Sequence, residues 1–460
     1  MNIPKAPILL ELFAGAIRRP FFDQLGERVG MPARGIYSLT VVVWLMMWQR
    51  LDSRGSLATA VQQVVQGALG DLVLPDKRVL EQRVSSNTGA LSRARKRLPL
   101  QAVEAVCDEI FTKLMESAEE GGGLRSRLFL LDGSSMRLEH TPALKKAYPL
   151  GSNQHGQAHW PVIRVLMAHH LSSGLAVRPC WGPMHGNEAV SEQGLTEQIL
   201  GRLPADSALM GDRNFAVFSV AWAAQQHNCR VLFRLTEGRA RKIAGQFLPP
   251  AGSERRIEWR PSRDDRRAHP ELPVDAVVRG RLIVAHVPGE DGKTLKLYLF
   301  TSLEEPREVL VELYRRRWDI ELDIRSLKQT LGMHSLRSKT PAMMEKELLL
   351  AIASYNLVRS VQMAAARQAN LEPRRLSFSR VQAVVMTALP RLATITDAAE
   401  WEAEYRRVLG WAAQGKLPNR TRRRSYPRAV WGKGATFPKH KCKGPSSPND
   451  EKGAKQVTLC

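Results

Sequence analysis

Cysteine is scarce and unpatterned in this 460-residue chain: Cys107, Cys180, Cys229, Cys442 and Cys460 are scattered, with no CxxC among them. That spacing argues against a structural zinc site. An odd number of thiols without the charged, apolar and small-residue pattern of a secretory leader points to reduced cysteines in a cytoplasmic setting. Long apolar runs are missing too. The longest, Ile36 to Trp48, is interrupted by Ser38 and Thr40. It is too short to span a bilayer and predicts a buried helix. There is no HExxH pattern. His155 and His159 are four apart, but the surrounding QHGQAHWP is a poor helix, so they read as loop or phosphate-facing histidines rather than metal ligands. Acidic residues are short in supply, 45 against 68 lysines and arginines.

That imbalance gives a net charge of +23 and a pI near 10.2, which calls for a polyanionic partner. With no membrane span, nucleic acid is the better fit. Hydrophobic residues make up 43% of the chain, enough for sizeable cores in about three domains.

Residues 1–120 read as helical, with an apolar helix and the start of a second within Ala33 to Val65, then helices over Val84 to Leu98 and Leu100 to Ser117. Arg93, Arg95, Lys96 and Arg97 form either an exposed helix end or a phosphate grip. Gly121 to Gly123 mark a boundary. Beyond it the period changes to that of strands. Arg127 to Leu131 is a strand running into a turn at Asp132-Gly133-Ser134-Ser135. Pro161 to His170 and Gly174 to Trp181 form a hairpin around Ser172-Ser173-Gly174. A helix over Ser191 to Leu203, a strand over Ser207 to Gly211 ending at Asp212, a helix over Phe215 to Gln226 and a strand over Arg230 to Leu235 follow. Three strands, helix, strand, helix, strand is an α/β order that implies a mixed sheet covered on both faces.

Glu254 to Arg260, Ala276 to Val287 and Leu295 to Thr301 suggest a mostly β insertion at 236–300. Helices over Pro306 to Leu331 and Met343 to Gln368 occupy 301–370, and a helical region fills 371–415. From Lys416 the tail is basic and, beyond Cys442, without periodicity, which predicts disorder over most of 416–460.

The segment Pro306 to Leu331 organises the rest. Pro306 suits a helix start and Gly332 a helix stop. At about 100° per residue, Leu313, Ile320, Ile324, Leu327 and Leu331 share an apolar stripe. Tyr314, Arg317, Glu321 and Lys328 form a polar stripe beside it. A solvated face with ion pairs has the same spacing. Asp132-Gly133 alone is equally an ordinary turn, and Asp212 alone a helix cap. Together, Asp132, Asp212 and Glu321 can meet at one sheet edge. Three converging carboxylates need cations, and hard oxygen ligands favour Mg²⁺ or Mn²⁺ in a two-ion site acting on a phosphodiester. Tyr314, Arg317 and Lys328 could then grip flanking phosphates.

The tetrad Tyr-x-x-Arg-x-x-x-Glu-x-x-x-x-x-x-Lys resembles the signature of DDE transposases of the insertion-sequence-four group. LLDGSS around Asp132 and MGDRNF around Asp212 resemble that group's two Asp motifs. ARKRLP at Ala94 to Pro99, SYNLVRS at Ser354 to Ser360 and SYPRAV at Ser425 to Val430 are similar to its flanking segments, so the likeness runs from about Ile36 to Lys441. The resemblance implies an RNase H-like catalytic domain, in two parts at 121–235 and 301–370, interrupted by the β insertion. It implies a helical DNA-binding domain before it and a helical and basic region after it. It implies cut-and-paste chemistry, with Asp132, Asp212 and Glu321 as metal ligands for two Mg²⁺ or Mn²⁺ ions. Tyr314, Arg317 and Lys328 would hold double-stranded DNA of the terminal repeats, Arg213 and Asn214 would contact DNA, and the assembly would be a dimer bridging two ends and the target. A Trp in the insertion stacks on a flipped base in some relatives; Trp259 occupies the insertion here, where a core or surface role suits it better. Two other readings remain: a nuclease or resolvase of the same fold without strand transfer, and a domesticated DNA-binding protein without catalysis.

Overall fold

The computed structural model describes residues 19–418, apart from 32–34, 53–54, 70–71, 74–75, 82, 119–121, 155, 246, 289–293, 393–394 and 396. His155, Cys442, Cys460 and the basic tail beyond residue 418, SYPRAV included, lie outside the described residues. The three cysteines within them, Cys107, Cys180 and Cys229, are free and buried.

Among the described residues, the helical N-terminal part opens with a helix at Arg19–Val29 and includes α1 (Leu39–Leu51), further helices at Leu57–Val65 and Lys77–Leu80, α2 (Gly89–Arg97) and α3 (Leu100–Ala118). The predicted apolar helix begins at Leu39 because the Ser38 side chain caps the Val41 N–H. The predicted helix over Val84 to Leu98 starts only at Gly89. Ahead of it, Ser85 Oγ accepts from the Asn87 N–H at 3.2 Å and Asn87 Oδ1 from the Gly89 N–H at 2.7 Å, local turns that compete with a helix.

The core is one eight-stranded mixed sheet. Its strands are β1 (Leu128–Arg137), β2 (Val162–His170), β3 (Cys180–Pro183), β4 (Ala208–Gly211), β5 (Arg230–Leu235), β6 (Ser253–Trp259), β7 (Val278–Pro288) and β8 (Thr294–Thr301). They lie in the order β3-β2-β1-β4-β5-β8-β7-β6. Strands β1, β4 and β5 run parallel, while β2, β3 and β8 pair antiparallel with their neighbours. Helices α4 (Thr196–Leu200) and α5 (Phe218–Gln226) make the crossovers between the parallel strands. This is the mixed α/β, RNase H-like fold expected from the motifs.

Within the sheet and its crossovers, further expectations change in detail. The predicted turn after Leu131 is absent: β1 continues through Asp132 to Arg137, held by antiparallel pairing with β2 from Phe129↔His170 to Arg137↔Val162. The predicted helix over Ser191 to Leu203 shrinks to α4, since Ser191 Oγ captures the Gly194 N–H at 2.9 Å in a local turn. The three strands of the β-rich segment are present and extend the central sheet, β8 pairing directly with β5 through Tyr298↔Leu235. Trp259 is 6% exposed and packs edge-on against Phe300 at 4.9 Å, a core position.

The spine is α8 (Pro341–Gln368), which starts at a proline and packs against α1, α3 and α10 (Ala398–Ala413), with α9 (Phe378–Leu392) alongside. By length and composition it could cross a membrane, but 89% of its apolar window is buried inside the protein, so it is a core helix. Most of its SYNLVRS polar groups bind outside the helix, while Ser360 Oγ bonds within it, to Leu357 O at 2.7 Å. Ser354 Oγ donates to Met47 O at 3.1 Å and Tyr355 Oη to Gly174 O at 3.1 Å. Asn356 takes both backbone groups of Ala176 at 2.8 Å, the residue that also bridges His169 of β2. Continuous pairing of the predicted hairpin's second strand starts only at Cys180.

Candidate active site

Asp132 stands on β1, and Asp212 directly follows the neighbouring parallel strand β4. The register Leu128↔Ala208, Phe129↔Leu209, Leu130↔Met210, carried two residues further, sets Asp132 opposite Asp212. Adjacent strands lie about 4.8 Å apart, and residues at one level of a parallel pair face the same side. Both carboxylates are half-buried. Burial raises the pKa of Asp132 to about 6; the Gly133 N–H and Arg317 oppose the rise, while Asp212 and Glu192 add to it. Asp212 is held in a tight turn, its Oδ1 accepting the Asn214 N–H at 2.8 Å.

The segment after Pro306 is helical throughout but not uniform. It comprises α6 (Arg307–Arg315), a 3₁₀ turn at Arg316–Trp318, α7 (Asp319–Arg325) and a π turn at Ser326–Thr330, ending at Gly332 with φ +67°. The expected apolar stripe is buried along its length: Leu313, Ile320, Ile324, Leu327 and Leu331. The polar stripe is no solvated face, since Tyr314 and Arg317 are 7% and 8% exposed.

Its members are stitched to the two aspartate strands. Tyr314 Oη donates to Gly211 O at 3.5 Å, beside Asp212, and burial pushes its pKa up. Lys328 Nζ donates to Ser134 Oγ at 3.2 Å and Ser135 O at 2.9 Å, just past Asp132. Burial lowers the Lys328 pKa. Arg317 Nη2 donates to Glu321 Oε1 at 3.2 Å, with its guanidinium 4.4 Å from the Trp318 ring centre. Glu321, Lys328 and Ser134 open onto a shared cleft of about 390 Å³. A 3₁₀ turn and a π turn on either side of Glu321 adjust the phase of these side chains, and π turns occur often at functional sites.

Among the described residues no three His, Cys, Asp or Glu side chains are gathered as a ready metal cage. The donor chemistry nevertheless fits a hard divalent cation. Asp132 and Asp212 are carboxylates at one level, Asp132 is destabilised as an anion, and Glu321 is held by Arg317 through one oxygen. Arg213 is exposed, with its carbonyl held by Arg239 Nη1 at 3.1 Å. Asn214 directs its Nδ2 to Glu192 Oε2 at 2.7 Å. His159 pairs with His140 at 3.1 Å.

Sequence reading missed the clamp under α7. Asp323 is fully buried and accepts from Arg374 Nη1 at 2.7 Å and from Arg359 Nη2. Burial alone would raise its pKa, but Arg374 and Arg359 outweigh that and hold the carboxyl below the usual range. Arg374 also binds Leu171 O at 2.5 Å and His170 O at 2.9 Å, tying the Glu321 helix to the end of β2. The signal was present as Ser354, Asn356 and Arg359, polar residues set in an otherwise apolar helix.

A second cavity, of about 530 Å³, lies between α1, α2 and residues 329–347. Arg50, Arg95, Lys96, Arg337 and Lys339 line it against Asp52 and Glu347. Burial, then repulsion from Arg337 and Arg95, lowers the Arg50 pKa to about 10. Arg95 Nε is buried without a hydrogen-bond partner. The basic cluster at the end of α2 thus faces a half-open cationic cleft.

A family profile described as Transposase DDE domain matches residues 123–357, just over half of the chain. Over 406 residues the chain is 25% identical to the transposase InsG for insertion sequence element IS4 of Escherichia coli strain K12, with 85% of each chain covered.

Proposed function

Since the chain belongs to the DDE-domain transposases, we propose that it is a member of the insertion-sequence-four group that binds the ends of an insertion sequence and catalyses DNA cleavage and strand transfer by a cut-and-paste route. The observation that carries this reading is the register that sets Asp132 level with Asp212, beside the helix bearing Glu321.

In this reading Asp132, Asp212 and Glu321 hold two Mg²⁺ or Mn²⁺ ions. Such ions supply Lewis-acid activation of the attacking oxygen and charge stabilisation of the leaving one. The chain's own part is positioning. Tyr314 and Lys328, fixed to the two aspartate strands, and Arg317 beside Glu321 hold the phosphates that flank the scissile bond. Water attacks the phosphodiester at the element's end, the P–O bond breaks and a 3′-OH is released. That hydroxyl then attacks a target phosphodiester: a new P–O bond forms to the element's 3′ oxygen, the target's own P–O3′ bond breaks, and the departing 3′ oxygen leaves as a hydroxyl carrying the equivalent of the proton the attacking hydroxyl gives up. A homodimer on DNA would bring two ends to one target. The cationic cavity beside α2 fits DNA backbone phosphates, which would satisfy Arg95 and relieve the repulsion around Arg50.

Glu321→Gln tests the assignment, because it keeps size and removes charge. End binding should survive while strand cleavage is lost; cleavage at the unaltered rate would refute it. Strand transfer from pre-cleaved ends separates a transposase from a nuclease of the same fold, which would cut without joining.

A further inference from the structure

The segment between β3 and α4 sets Glu192 behind the two aspartate motifs. Successive residues of a strand face opposite sides, so Gly133 presents the side of β1 away from Asp132. The Glu192 side chain fills that side. A Cβ at residue 133 would run into the Glu192 carboxylate, so any larger residue here would displace that side chain from its present place. The other oxygen, Oε2, accepts from Asn214 Nδ2 at 2.7 Å. The Asn214 backbone N–H in turn donates to Asp212 Oδ1 at 2.8 Å. Gln193 Nε2 adds a bond to Asn214 O at 2.6 Å. From the opposite flank Arg239 Nη1 donates to Ala216 O at 2.6 Å.

We propose that Glu192 is a positioning residue for the two aspartates. Its bond to Asn214 holds the turn that presents Asp212 level with Asp132, and Gly133 is the gap that admits it. The inference rests on the assignment of those aspartates as the reacting edge. It gives Asn214 a structural task in place of the DNA contact expected from its position after Asp212. The role assigned here is carried by the hydrogen bond to Asn214.

The test compares Glu192→Ala, Glu192→Gln, Asn214→Ala and the Glu192→Ala/Asn214→Ala pair in the full chain, with end DNA and Mg²⁺. Glu192→Ala should lower cleavage about 10- to 100-fold, the range for residues that orient ligands from behind, without weakening end binding. Glu192→Gln, whose amide oxygen can still accept from Asn214, should retain most of the activity. Asn214→Ala should match Glu192→Ala, and the pair should be no worse than either alone. Without DNA, the thermal shift produced by Mn²⁺ should shrink in Glu192→Ala and persist in Glu192→Gln. Unchanged cleavage in Glu192→Ala overturns the proposal, as does a Glu192→Gln enzyme as impaired as Glu192→Ala, or an additive double variant. Should Glu192→Ala fail to fold, the contrast between Asn214→Ala and Glu192→Gln decides, with equal activity overturning it. A parent chain that never cuts end DNA would defeat the transposase reading instead, and the Mn²⁺ shift would still judge the role of Glu192.

Discussion

Arg317 lies one helical turn before Glu321, its Nη2 3.2 Å from Glu321 Oε1, and it also opposes the rise in the Asp132 pKa. One guanidinium therefore links the first aspartate to the glutamate of the tetrad. Arg317 is almost buried and seated on the Trp318 ring, so its fork geometry is fixed.

Lysine cannot reproduce that fork. Arg317→Lys is expected to lower cleavage of end DNA by at least about tenfold, a loss of roughly 1.4 kcal/mol in transition-state stabilisation. Gel-based cleavage of labelled ends measures it. Full activity in Arg317→Lys would mean that charge alone suffices.

The clamp under α7 makes a stability prediction. Asp323→Asn leaves Arg359 and Arg374 buried without their carboxylate. Breaking a buried pair in this way costs about 3–5 kcal/mol, visible as a lower denaturant midpoint. An unchanged midpoint would show that the clamp contributes nothing.

His169 and His170 set a pH dependence. Burial lowers both pKa values to about 4, from 6.5. Between those values the unfolded chain binds protons that the folded chain refuses, so stability is full above about pH 6.5 and falls as the pH drops towards 4. Unfolding free energies at pH 7 and pH 5 should differ in that sense; equal or greater stability at pH 5 would contradict it.

The cationic cavity predicts a salt effect. Arg95→Ala should weaken binding to all DNA sequences alike and reduce the slope of log affinity against log salt by about 1. Fluorescence anisotropy over a salt series checks it. A change confined to the terminal repeats would indicate base reading instead.

Much of this was legible in the sequence because the signals were local. The strand over Arg230 to Leu235 and the long helix ending at Gln368 are where composition and punctuation set them. The apolar stripe from Leu313 to Leu331 is buried because helical periodicity decides which residues can face a core. What escaped depends on partners distant in sequence. Asp132-Gly133 has the local signature of a turn, yet pairing with β2 keeps it a strand and Glu192, some sixty positions on, explains the glycine. The 3₁₀ and π turns around Glu321 leave no mark in periodicity. Asp323 reads as an exposed charge until Arg359 and Arg374 are seen to enclose it.

Crystals of the full chain soaked with Mn²⁺ test the central claim most directly. The account predicts anomalous density within about 2–2.5 Å of oxygens of both Asp132 and Asp212, with Glu321 turned from Arg317 to join them. Well-ordered aspartates with no anomalous peak beside them at saturating Mn²⁺ would contradict it.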